Sequence, residues 1–344
     1  MVARQIRGEE MRYVREGYLP SDLTEKPGLL EPEEYEAAYD ISVFAEPGQA
    51  TLTAPVESVV KRMGAKSQLA AWLVQHFPRS TTTYVEPFAG SFKVLLAKPF
   101  INRIEIANDL DQDLIHFFRY AVHDPGLLAD YINSLPTHEG LIIGYRMALG
   151  ERRLRGLERA AAFYLMSRST MNAVAATSTN FTYASSPFAA INTKIDRVKL
   201  FKLADRLRAV DIRSRPVWQV LASTIKPVPG GVFFYLDPPY DETSGYDTAG
   251  QGTGKFGKAD QVRLAEHCAL IDKSGNRFIQ TNSSTRFLHD LYGSFKRGNG
   301  EPLFYLTERK VYYSVAGSSE VREEKAELII SNFPLNQVQR GLFS

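Results

Sequence analysis

The stretch Val232-Phe233-Phe234-Tyr235-Leu236-Asp237-Pro238-Pro239-Tyr240 decides the fold class. Five apolar or aromatic residues in a row suit a strand buried on both faces, the habit of parallel sheets. The passage into Asp237-Pro238-Pro239 ends that strand, since proline removes a ladder donor and fixes φ. Upstream, Thr83-Tyr84-Val85-Glu86 reads as a short strand opening into the loop Pro87-Phe88-Ala89-Gly90-Ser91. Arg103 to Ala107 alternates in polarity and reads as a further strand. It ends at Asn108-Asp109, ahead of a helix bearing Leu110, Leu114, Phe117 and Phe118. Ser67 is placed to cap a helix with Leu69, Trp72, Leu73 and His76 on one face and Pro78 as its stop. Residues 160–170 read as a helix, and 171–195, rich in Ser, Thr, Asn and Ala, as irregular chain. Downstream, Asp260 is read as the cap of a helix that turns Val262, Leu264, Cys268 and Ile271 inward and stops at Gly275. Strands at 277–281, near 309–315 and at 326–331 complete the pattern, the last two as a hairpin. Strands alternating with helices predict an α/β fold with a doubly wound, mostly parallel sheet.

A chain of 344 residues, 44% hydrophobic and 23% charged, has the composition of a globular protein with a sizeable core. No apolar run reaches the roughly 18 residues of a membrane span, and the N-terminus lacks an apolar signal core, so a cytoplasmic location is expected. The single cysteine, Cys268, excludes an internal disulfide and a cysteine-rich metal site. The net charge of +2 conceals an asymmetry. Residues 1–50 carry five Lys/Arg against eleven Asp/Glu, whereas residues 141–216 carry fourteen against five. A basic segment in a near-neutral chain suits a polyanionic partner, or equally a solvated helical surface. Residues 1–55 read as an acidic extension, broken by Pro20, Pro27, Pro32 and Pro47, with a short helix at 32–39.

Two loops follow buried strands, at the carboxyl edge where open α/β sheets bind ligands. In Glu86-Pro87-Phe88-Ala89-Gly90-Ser91, Gly90 lets a ligand approach the backbone. Asp109, at the end of the next strand, stands where Rossmann-like sheets present a carboxylate to ribose hydroxyls. A third segment, Lys61-Arg62-Met63-Gly64-Ala65-Lys66, reads by itself as a solvated turn.

Taken in order, these three segments resemble the Dam-like, or D12 class, N6-adenine-specific DNA methyltransferases. That family carries Gly-x-Lys near the N-terminus, a Pro-Phe-x-Gly cofactor loop, a target-recognition segment and then Asp-Pro-Pro-Tyr. The agreement extends to Trp218, Val220, Tyr246, Asp260-Gln261, Leu264, the run Gln280-Thr281-Asn282-Ser283 and the closing strand Glu327 to Asn332, covering about residues 57–335. The resemblance implies a Rossmann-like class I methyltransferase sheet with a C-terminal β-hairpin and an inserted, mostly helical target-recognition region. The catalytic domain would take 56–120 and 216–344, and target recognition 121–215. S-adenosylmethionine would be held by Met63, Gly64, Lys66, Glu86, Pro87, Phe88, Ala89, Gly90, Ser91, Asn108, Asp109 and Asp237. Asp237, Pro238, Pro239 and Tyr240 would hold the flipped adenine. Lys61, Arg62, Arg152, Arg153, Arg168, Asn172 and Tyr246 would meet DNA. Double-stranded DNA is the implied partner, with a restriction endonuclease as a further one, and the chain a monomer or dimer. No metal is required.

The chemistry agrees with the residues. The N6 lone pair of adenine is delocalised into the ring, so two acceptors must hold its hydrogens and draw the nitrogen towards sp³ geometry. Asp237 can supply a carboxylate oxygen and Pro238 its carbonyl, while Tyr240 can stack on the base for roughly 1–3 kcal/mol. Extruding the base costs a few kcal/mol, which phosphate contacts from Arg152, Arg153, Arg155, Arg168, Arg206 and Arg208 would help offset. A cytosine-C5 enzyme needs a nucleophilic cysteine, and Cys268 lies on the apolar face of its expected helix. A cytosine-N4 enzyme usually opens its motif with Ser. A dehydrogenase would show Gly-x-Gly-x-x-Gly after the first strand.

Two departures are specific. Relatives usually read Phe-x-Gly-x-Gly in the cofactor loop, where this chain has Phe92 in the last place. If that position needs φ > 0, Phe92 weakens cofactor binding. The alternative function is therefore a catalytically impaired, methyltransferase-fold DNA-binding or regulatory protein. Arg168 to Ala173 also replaces a pattern usually richer in glycine and aromatics.

Overall fold

The computed structural model describes residues 51–60, 67–136, 139–169, 193–240, 256–314 and 322–335. The strands in chain order are β1 (Thr51–Leu52), β2 (Thr83–Glu86), β3 (Phe100–Ile101), β4 (Ile104–Asn108), β5 (Asp211–Arg213), β6 (Val232–Leu236), β7 (Arg277–Ser283), β8 (Tyr305–Ser314) and β9 (Arg322–Ser331). The chain forms two compact units.

One unit holds the helices Gln112–His123, Pro125–Ser134, Glu139–Gly150, Gly156–Ser169 and Arg197–Leu207, together with β5. Asp111 caps the first, its carboxylate accepting from the N–H groups of Asp113 and Leu114. Asp124 caps the second, ahead of Pro125 in its first turn. Leu110 precedes the first helix, which turns Leu114, Phe117 and Phe118 into the core. His116 is buried beside them, its Nε2 2.8 Å from the Gly156 carbonyl. Burial pushes the imidazole down to about 4, against the opposing pull of that carbonyl.

In the other unit the sheet strands lie in the order β4-β2-β6-β7-β9-β8. The first four are parallel, while β9 is antiparallel to both β7 and β8. This is the doubly wound, mostly parallel sheet with a terminal hairpin that the sequence predicts.

The register sorts the side chains onto two chemically different faces. Strand partners share a face, and residues alternate along each strand. Val85 stands opposite Phe234, Phe234 opposite Phe278, and Gln280 opposite Ile330. That face is the main core, packed by Val220 and Leu221 of helix Val217–Thr224, Leu264, Cys268 and Ile271 of helix Lys258–Lys273, and Leu288 and Tyr292 of helix Arg286–Gly293. The same pairings put Tyr84, Glu86, Glu105, Tyr235, Thr281 and Glu327 on the opposite face, all buried.

Two expectations about helix Lys258–Lys273 are corrected. Gly257 is its N-cap, and Asp260 sits in the first turn, where its carboxylate accepts from the Gly257 N–H at 3.0 Å. Val262 is 37% exposed, because it lies off the stripe formed by Leu264, Cys268 and Ile271. Cys268 is a core residue whose thiol burial holds well above its usual range. The expected helix at 32–39 and most of the irregular stretch at 171–195 lie outside the described residues.

Candidate active site

The two sequence loops meet at one sheet edge. β2 ends at Glu86, and β6 runs into Asp237. The two strands are parallel neighbours, and β2 also pairs with β4 on its other side. The chain leaves β2 for β4 and later returns to β6 across β2, so the winding reverses there. At such a switch point the loops diverge and leave a crevice beyond the carboxyl ends.

The cofactor-loop candidate is held by hydrogen bonds from the end of β4. The Ala89 N–H donates to the Asn108 carbonyl at 2.8 Å, and the Gly90 N–H to Asp109 Oδ2 at 2.9 Å. Asn108, buried, donates from Nδ2 to the Pro87 and Arg215 carbonyls, both at 3.0 Å. Its Oδ1 accepts from the Arg215 N–H at 2.8 Å. The Asn108 amide thus ties the loop to the chain entering helix Val217–Thr224. Gly90 has φ +50, and nothing lies within 4 Å of where a Cβ would stand. Pro87, Ala89 and Ser91 are buried, while Phe88 is half-buried, edge-on to Phe256 at 5.7 Å.

Phe92 answers the question its sequence position raises. It adopts φ 60 and ψ 20, the left-handed region a glycine would take freely, yet its side chain is fully buried. The backbone requirement is met with strain, and the ring is absorbed by the core. Phe92→Gly is expected to lower stability by roughly 1–4 kcal/mol in urea unfolding. Loss of a buried Phe costs about 3–5 kcal/mol, and relief of the left-handed residue returns about 1–2. An increase in stability would contradict this balance.

Beneath the loops the polar face of the sheet carries a series of buried hydrogen bonds. Tyr84 Oη donates to Glu86 Oε2 at 2.7 Å. Lys98 pairs with Glu105 at 2.7 Å and lies 3.9 Å from the Tyr84 ring centroid. Burial pushes the Glu86 carboxyl up to about 8; the Tyr84 hydroxyl pulls the other way, and the nearby Asp237 charge adds to the rise. Thr281 Oγ1 donates to Asp237 Oδ1 at 2.9 Å. Its one proton is thereby used, so the Tyr235 hydroxyl, 2.9 Å from the same Oγ1, is the donor there. The Pro239 carbonyl accepts from Gln261 Nε2 at 3.0 Å, and the Tyr240 hydroxyl donates to Glu327 Oε2. Each of Asp237, Pro239 and Tyr240 is thus held by a buried side chain of another element.

A family model for the D12 class N6 adenine-specific DNA methyltransferases matches residues 63–304. The chain belongs to this family. Among curated relatives, Type II methyltransferase M1.LlaDCHI of Lactococcus lactis subsp. cremoris is 24% identical over 250 residues, covering 68% of this chain and 84% of its own. Type II methyltransferase M.MjaIII of Methanocaldococcus jannaschii is 24% identical over 269 residues, covering 70% and 89%. Among solved structures, a putative methyltransferase, yhhF from Escherichia coli, is 11% identical with a TM-score of 0.30, over 84% of this chain and all of that one.

Within the family's motif order, the structure brings together Glu86 to Ser91, Asn108, Asp109 and Asp237 to Tyr240 at one edge. Lys61, Arg62, Met63, Gly64, Lys66, Asn172 and Tyr246 lie outside the described residues. Arg152, Arg153, Arg155 and Arg208 are exposed in the helical unit, and Arg168 is half-buried. Arg206 is a correction: it is 6% exposed, because helix Arg197–Leu207 turns it inward with Leu203 and Leu207, so it cannot reach a phosphate. Thr281, Gln261 and Glu327, which hold the 237–240 loop, have no role assigned from the sequence. The available signal was a polar residue inside an apolar strand or helix face, which demands a buried partner. Among the described residues, no cluster of His, Cys, Asp and Glu could hold a metal, and no helix is long and apolar enough to cross a membrane.

Proposed function

We propose that this protein transfers a methyl group from S-adenosylmethionine to the N6 amine of an adenine extruded from double-stranded DNA. The observation that carries this reading is the placement of Asp237-Pro238-Pro239-Tyr240 beside the Glu86–Ser91 loop at the reversal of the sheet.

The residues present fit the cofactor. The open space at Gly90 admits a ligand against the backbone, and the buried Glu86 carboxyl, protonated while no cation compensates it, would ionise beside a cationic one. Glu86, the 87–91 loop and Asp109 would hold S-adenosylmethionine, together with Met63, Gly64 and Lys66 of the upstream motif. The cofactor supplies an electrophilic methyl on a sulfonium, whose departure leaves a thioether. The chain's part is positioning. Asp237 and the Pro238 carbonyl accept the amine hydrogens and direct the lone pair, while the Tyr240 ring packs on the extruded base. The nitrogen, cationic once methylated, loses one of those hydrogens as a proton by way of the Asp237 carboxylate.

The test incubates the full chain with methyl-tritiated S-adenosylmethionine and, in parallel, unmethylated DNA and RNA, then separates the digested nucleosides. Label in N6-methyldeoxyadenosine is expected. Label in N4-methyldeoxycytidine, or in RNA alone, would exclude the reading. A second reading, DNA binding without catalysis, is favoured by the strained Phe92. It predicts DNA retention with no label and no S-adenosylmethionine binding in calorimetry.

A further inference from the structure

We infer that Thr281 and Glu327 are positioning residues for methyl transfer, acting through Asp237 and Tyr240 respectively. This rests on the proposed function.

The two residues come from neighbouring antiparallel strands, β7 and β9. Ser283 stands opposite Glu327, and Thr281 lies two residues from Ser283, so both side chains are on the polar face. Both are buried, Thr281 fully and Glu327 at 2% exposure. Strands hold side chains more narrowly than loops do, and each contact reaches a group on the 237–240 loop.

At Asp237 the bond has a direction. Tyr235 donates to Thr281, and Thr281 donates to Oδ1. Burial holds the Tyr235 phenol far above its usual range, so it stays a donor across the working pH. The chain of hydroxyls fixes the plane of the carboxylate and keeps Oδ1 an acceptor. At Tyr240 the Glu327 carboxylate holds the hydroxyl at the far end of the ring, which sets the ring's tilt. Gln261 on the Pro239 carbonyl completes the support. The rigid sheet edge, and not the loop alone, thereby sets the geometry in which the amine is held.

The test is a pair of double-mutant cycles on the full chain, read as single-turnover methyl transfer at saturating DNA and cofactor. Thr281→Val is expected to slow transfer about tenfold or more, as a misplacement of reacting groups does. Thr281→Ser, which keeps the hydroxyl, is expected to restore it to within about threefold, well above Thr281→Val. In an Asp237→Asn background Thr281→Val is expected to cost nothing further. Likewise Glu327→Gln, which keeps an acceptor oxygen, is expected to transfer faster than Glu327→Ala, and Glu327→Ala to add no loss to Tyr240→Phe. Unchanged melting temperatures establish that the variants are folded. Additive losses, or failure of Thr281→Ser and Glu327→Gln to rescue, would overturn the inference and leave the proposed function standing. A wild type that binds DNA and transfers no methyl would overturn both.

Discussion

Asp237→Asn is expected to slow methyl transfer by roughly 10²–10³-fold, the scale of losing one preorganised hydrogen bond at a reacting centre. The orientation of the side chain makes the substitution severe. Thr281 donates to Oδ1, so the introduced carboxamide would keep its oxygen on that side and turn its NH2 group towards the incoming amine. A donor would then face a donor where the chemistry needs an acceptor. The amine would lose one of its two constraints, and its lone pair would stay delocalised in the ring. The shape of the side chain is unchanged, and the hydrogen bond from Thr281 survives, so stability should change little. Single-turnover transfer with saturating DNA and cofactor is the measurement. A loss smaller than about fivefold would remove Asp237 from the reacting centre and weaken the proposed function itself.

The strands around this site were legible because their signals are local. Val232 to Leu236 is apolar throughout and is buried throughout, and β2 and β4 fall within a residue of their expected bounds. The terminal hairpin follows from two closely spaced strands. What the sequence does not carry is which face of a strand each polar residue occupies, because that depends on register with distant strands. Thr281 and Glu327 are separated in sequence from Asp237 and Tyr240, and only the β6-β7-β9 pairing brings them together. Asp260 departs from its expected place as the cap for a different reason. Asp serves both as an N-cap and as a first-turn acceptor, and the glycine three residues earlier takes the cap without a side-chain signal. Arg206 lies in the basic 141–216 segment of the chain, but exposure depends on the helix face, and its face is turned inward.

Glu86→Gln is expected to stabilise the cofactor-free protein, by an amount that grows with pH. The folded-state carboxyl is raised from 4.5 to about 8, first by burial and then by the nearby Asp237 charge. Between those values the folded protein holds a proton that the unfolded chain has released. The stability contributed by this protonation is fully present below 4.5 and is lost as pH rises through 8, at about 1.4 kcal/mol per pH unit within the window. Glutamine resembles the protonated acid and does not titrate. The melting temperatures of wild type and variant should therefore agree below about pH 4.5 and separate progressively up to about pH 8, with the variant higher. His116 gives an opposing signal from the helical unit. Its folded value of about 4 lies below the ordinary 6.5, so the stability it contributes is full above 6.5 and is lost as pH falls towards 4. His116→Gln should remove that acid sensitivity and leave the alkaline trend of Glu86 untouched. Thermal melts of the three proteins from pH 4 to 9 separate the two effects. A difference between wild type and Glu86→Gln that stays constant with pH would mean that Glu86 is ionised in the folded protein. A cation would then already compensate the carboxylate, and the case that this site suits a cationic cofactor would lose its electrostatic basis.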